Sequence, residues 1–178
     1  MGLRKGDQTR CRKRNESNKY QVGTSGFMVS RAQWISLECL NCIEINSTFY
    51  SLPTEKVISN WSKLPARVSF VIKASKYMTH IKRLKDVEEA WKELWGRISP
   101  LGKRLRAVLF QLPPTFGFSD TNLDRIVAMH EYIPRDLNVV FEFRNATWFR
   151  PDVYRAFRKM KWCVAGTYIQ KKNGASWM

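Results

Sequence analysis

Two pairs of polar residues, Glu44 with Asn46 and Glu142 with Arg144, sit inside otherwise apolar runs, Cys42-Ile-Glu-Ile-Asn46 and Asn138-Val-Val-Phe-Glu-Phe-Arg144. Residues two apart on a strand point to the same side. Glu44 and Asn46 should therefore oppose Ile43 and Ile45, and Glu142 and Arg144 should oppose Phe141 and Phe143. Lys73 ends a third apolar run, and Gln111 lies between Phe110 and Leu112 in a fourth. Thr24 and Ser25 finish a first strand, and His80 follows the third in Tyr77-Met-Thr-His80.

An isolated buried carboxylate costs several kcal/mol, so such groups are paired or functional. Glu44 and Glu142 are the candidate acid and base, roles that opposed carboxylates divide when their environments differ. Lys73 and Arg144 suit an anionic group, Arg with a fork that matches carboxylate or phosphate. Asn46 and Gln111 would orient the ligand, with Thr24 and His80 as outer candidates. The aromatics Phe49, Tyr50, Trp148 and Phe149 directly follow the polar tips; of these, Tyr50 and Trp148 are expected to touch a ligand. The competing reading is a neutral ion-pair network of Glu44, Lys73, Glu142 and Arg144 that closes one end of the fold.

Strand-like runs alternate with amphipathic stretches along the chain. Strands are expected at Tyr20–Ser25, Cys42–Asn46, Val68–Lys73, Ala107–Leu112, Asn138–Arg144 and Trp162–Thr167. Helices are expected at about Ser30–Leu40, after an N-cap at Thr54, over Val87–Leu101, after a cap at Ser119 or Asp120, and over Pro151–Met160. The fourth is expected to bury Leu123, Ile126, Val127 and His130. A polar tail, Gln170–Gly174, follows the last strand. Alternation without hairpins is the pattern of a parallel α/β sheet, open or closed into a barrel. No glycine-rich phosphate fingerprint follows the first strand.

Lys plus Arg outnumber Asp plus Glu by 31 to 15, for a net charge of +16. Residues 1–19 concentrate this excess and read as a disordered basic arm, with residues 20–178 as the folded domain. Further clusters at Lys82-Arg83-Lys85, Lys103-Arg104-Arg106 and Arg155–Lys161 flank apolar runs, where solvated helix faces carry such residues. A nucleic-acid surface using the arm is the alternative partner to a small polar or anionic ligand. No run is long enough to cross a membrane, and no secretory leader is expected, since the first residues lack an apolar stretch. An intracellular location, cytoplasmic or nuclear, is expected, with reduced thiols. Cys39 and Cys42 read as packing residues. Without an HxH or HExxH pattern no metal is assigned; cofactor and oligomeric state stay open.

Several of these residues fall in a recognisable order: Gly23-Thr-Ser-Gly26-Phe27, Glu44-Ile-Asn-Ser-Thr-Phe-Tyr50, Lys73-Ala with Thr79-His80, Phe110-Gln-Leu-Pro-Pro114, and Phe141-Glu-Phe-Arg144 with Trp148. In these motifs the sequence resembles the YecE-like family, domain of unknown function 72, from about Tyr20 onward. The resemblance implies a TIM-type (β/α) barrel and no established reaction. Relative to the family pattern, the segment between the first strand and Glu44 is short. Two further strand–helix units, one bearing an arginine for the same mouth, do not follow the sixth strand. The expected fold is thus a barrel truncated to about six strand–helix units, its edges covered by a partner or belonging to a fragment.

Overall fold

The computed structural model describes residues 21–27, 29–166, 168–171 and 174–177; the basic arm, Tyr20 and Thr167 lie outside them. Six strands, β1 (Gly23–Ser25), β2 (Cys42–Ile45), β3 (Ser69–Lys73), β4 (Leu105–Leu112), β5 (Val139–Phe143) and β6 (Cys163–Val164), form one parallel sheet in the order of the chain. Between them run α1 (Arg31–Ser36), α2 (Glu55–Ser62), α3 (Glu88–Ile98), α4 (Asp120–Ala128) and α5 (Pro151–Met160). Sequential order is that of a (β/α) barrel wall, whereas a doubly wound sheet reverses direction at a switch point. Among the described residues β1 and β6 do not pair, and the sheet is open.

Local chemistry sets the helix limits. Ser30 and Gln33 form a reciprocal capping box for α1, and the hydroxyls of Thr54 and Ser119 accept the backbone N–H groups of Val57 and Asn122. Pro151 opens α5, and Lys161 closes it in the left-handed conformation. Helix α1 is shorter than its apolar pattern predicts, ending at Ser36. Helix α4 buries Ile126, followed by Met129, while Val127 is exposed and His130 only half-buried. The expected face was therefore rotated.

The two sides of the sheet differ. The helix-covered side carries Ile43, Phe70, Ile72, Val108, Phe110, Val139 and Phe141, each at 0% exposure. Rings stack through it, Trp61 on Phe70 and Phe110 on Phe141. The other side alternates with this one and carries Glu44, Val71, Lys73, Gln111 and Val140, all half-buried. Strand β1 reaches β2 closely enough that a Cβ on Gly23 would lie 1.9 Å from the Cys42 carbonyl oxygen; only glycine fits there.

After β6, where a polar tail is expected, Tyr168–Lys171 (β7) and Gly174–Trp177 (β8) pair antiparallel. Among the described residues no helix is long and apolar enough to cross a membrane. Cys39 and Cys42 are both buried, and burial pushes the Cys42 thiol up.

Candidate functional site at the strand tips

Parallel strands bring the carboxyl ends of β1–β5 to one edge, and the register aligns their polar residues. Ser25 lies beside Glu44, and Gln111 beside Glu142. Two hydrogen-bonded clusters result. In the first, the Asn46 amide donates to Ser25 Oγ (2.8 Å), which donates to Glu44 Oε1 (2.8 Å). In the second, Gln111 Nε2 donates to Glu142 Oε2 (2.9 Å) and Arg144 Nε donates to Glu142 Oε1 (3.0 Å). Both oxygens of the largely buried Glu142 are thus engaged.

Between the clusters stands β3. Lys73 carries its ammonium over the Phe49 ring, 5.0 Å from the centroid, and His80 meets the same ring edge-on at 5.1 Å. Among the described residues Glu142–Arg144 is the one ion pair the four tip charges form, so they do not close into a single neutral network. His80 sits in a π-helical turn, Tyr77–Ile81, a geometry concentrated at functional sites. Its pKa is lowered, first by burial and then by Lys73, Lys76 and Arg144. Arg83, Leu84 and Asp86 follow with φ of 51°, 60° and 49°. Left-handed backbone at non-glycine residues stores strain, here right behind the histidine.

The segment Glu44–Tyr50 works as one device. Glu44 and Asn46 hold Ser25, and Ser47–Phe49 turns the chain in a single 3₁₀ turn. Buried Thr48 keeps its hydroxyl 2.9 Å from the Ile45 carbonyl and 2.7 Å from that of Lys73, tying β2 to β3. Phe49 then covers Lys73 and His80, and Tyr50, 79% exposed, forms the rim. Outside that rim, Phe49, Tyr50, Tyr77 and Ile81 help line a groove of about 540 Å³ against α3.

Two expected ligand contacts need correction. Thr24 aligns with Ile43 on the helix-covered side; its hydroxyl donates to the Gly26 carbonyl and accepts from the Trp34 indole, each at 2.7 Å. Ser25, one residue on, takes the place at the tip. Trp148 is at 0% exposure, stacked on Phe143 at 4.4 Å, with its indole N–H donated to the Phe116 carbonyl (2.7 Å). It belongs to the floor beneath the tips. Glu44, Asn46, Lys73, His80, Gln111, Glu142 and Arg144 share the same edge. Ser25 and Thr79 are polar residues left out of the expected site; the register of β1 on β2 is what brings Ser25 to Glu44. Among the described residues no group of three or more His, Cys, Asp or Glu gathers as a metal site would require.

The YecE protein of Escherichia coli (strain K12), a UPF0759 protein, is 29% identical over 110 residues, 61% of this chain and 40% of its own length. YunF of Bacillus subtilis (strain 168), also UPF0759, is 28% identical over 119 residues, 63% of this chain and 42% of its own. The chain spans about two-fifths of the length of these curated relatives. A DUF72 family protein from Thermotoga maritima MSB8 superposes with a TM-score of 0.69 at 26% identity, covering 81% of this chain and 63% of that one. One from Enterococcus faecalis V583 gives 0.69 at 21% identity, covering 81% and 61%. The family described as "Protein of unknown function DUF72" matches residues 35–176. By that match, over most of its length, the chain belongs to the DUF72 family.

Proposed function

We propose that the carboxyl ends of β2–β5 bind a small anionic ligand, and that the chain is a barrel-type enzyme or the remnant of one. Uncompensated positive charge carries this reading. Lys73 has no carboxylate partner among the described residues, and Arg144 engages Glu142 through Nε alone. The terminal nitrogens of Arg144 then offer a fork for carboxylate or phosphate, and Lys73 supplies a second point charge. Glu142, with both oxygens accepting hydrogen bonds, fixes Arg144. Glu44 has one oxygen bonded to Ser25 and the other uncommitted among the described residues, which suits it to proton transfer.

A thermal-shift screen of phosphorylated and carboxylated small molecules on the full chain tests this. A ligand present at a hundred times its Kd stabilises by about 2.7 kcal/mol, and Lys73→Met should abolish the response. An equal response from the variant, or none from any anion, overturns the reading. Binding to nucleic acid through the basic arm makes a different forecast: affinity that falls steeply with salt and with deletion of residues 1–19.

A further inference from the structure

The two contacts of the Thr79 hydroxyl fix the protonation pattern of His80. Thr79 is at 0% exposure, so no solvent competes for its hydroxyl. Its Oγ1 lies 2.9 Å from the Ser75 carbonyl oxygen and 2.9 Å from His80 Nδ1. A hydroxyl has one proton. Were it donated to Nδ1, two oxygens would face each other at 2.9 Å with no proton between them. Donated to Ser75, it leaves Oγ1 as an acceptor, and His80 Nδ1 must be the donor. Both contacts are then hydrogen bonds. The neutral ring therefore carries its proton on Nδ1 and presents Nε2 as a bare lone pair.

From this geometry we infer that His80 Nε2 is a neutral proton acceptor toward the anion held by Lys73 and Arg144, with Thr79 as the residue that positions it. The inference rests on the anion-site reading above for its ligand, but not for the tautomer. In the step it implies, an O–H or C–H of the bound anion loses its proton to Nε2. The electron pair stays on the ligand, where the two cations stabilise it, and His80 becomes imidazolium. The groups bearing on the ring are Lys73 from β3, Lys76 from its own turn, Arg144 beyond β5 and the edge-on Phe49. No carboxylate is among those that set its titration. Burial and these cations favour the neutral ring, the form in which Nε2 accepts a proton.

Long-range ¹⁵N–¹H correlation spectra of the imidazoles in the full chain read the tautomer directly. The chain has two histidines, and His80→Asn assigns the signals. His80 is expected as the Nδ1–H tautomer with a midpoint below 6.5. Thr79→Val should release the ring toward the Nε2–H form, and Thr79→Ser should restore the wild-type signature. Sulfate, whose charge is constant over this range, should raise the midpoint in the wild type and leave it unchanged in Lys73→Met. An Nε2–H tautomer in the wild type overturns the inference whatever the variants do. An unchanged tautomer in a folded Thr79→Val removes Thr79 from its role. The predicted tautomer with a midpoint indifferent to sulfate would instead overturn the anion site, and with it the base's substrate.

Discussion

Arg104 and Arg144 stand at opposite ends of the same sheet. Arg104, just before β4, donates to the carbonyls of Ser62, Leu64, Pro65 and Val68 and lies over the Phe70 ring. Arg144, just past β5, donates to one oxygen of Glu142. At the amino end the guanidinium is consumed by four backbone carbonyls, and its role is architectural. At the carboxyl end Arg144 and Lys73 keep donors that find no partner among the described residues. A basic residue counted in the sequence thus means different things at the two ends, and the proposed anion site draws only on the carboxyl end.

Substitutions can break this contrast, and the largest effect is expected in the floor. Trp148→Ala removes a stacked, fully buried ring and should cost about 4 kcal/mol, read as a lower denaturation midpoint. Arg104→Ala should cost about 3 kcal/mol, because several carbonyls lose a charged donor together. Arg104→Lys should recover little, since an ammonium cannot span four carbonyls. Lys73→Met, by contrast, should change stability by less than about 1 kcal/mol, the cation–π contact of one half-buried side chain being what it removes. A large loss of stability there would make the carboxyl end architectural too.

The smallest effect concerns pH. His80 titrates below its ordinary 6.5 in the folded chain, so between those two values the unfolded state binds more protons. Its contribution to stability is present above 6.5 and is lost as pH falls from there through the folded pKa. Lys73→Met, by removing one of the cations that depress His80, should flatten this loss in denaturant titrations at a series of pH values. An unaltered pH profile would mean that Lys73 and His80 do not sense each other.

How far the sequence reached depends on whether a signal is local. Helix starts, the caps at Thr54 and Ser119 and the first-turn Pro151, were legible, because a helix start is decided by neighbours in the chain. The pairing of Glu44 with Asn46, and of Glu142 with Arg144, followed from two-residue alternation. The bond of Ser25 to Glu44 did not, since it depends on which residue of β1 registers with β2. The burial of Trp148 depends on Phe116 and Phe143, brought together by tertiary packing. The π-helical turn and the left-handed residues after it have no periodic signature. Val127 and Ile126 are adjacent and alike in type, so periodicity alone could not decide which faces the core.

The proposed anion site can be tested residue by residue. Backbone amide shifts of the labelled full chain, followed during titration with the best anion from the screen, should move at Asn46, Lys73, His80, Gln111 and Arg144 with one shared Kd, while residues around Arg104 stay still. Shifts confined to residues 1–19, or spread over the lysines and arginines of the helix surfaces, would contradict a site at the strand tips.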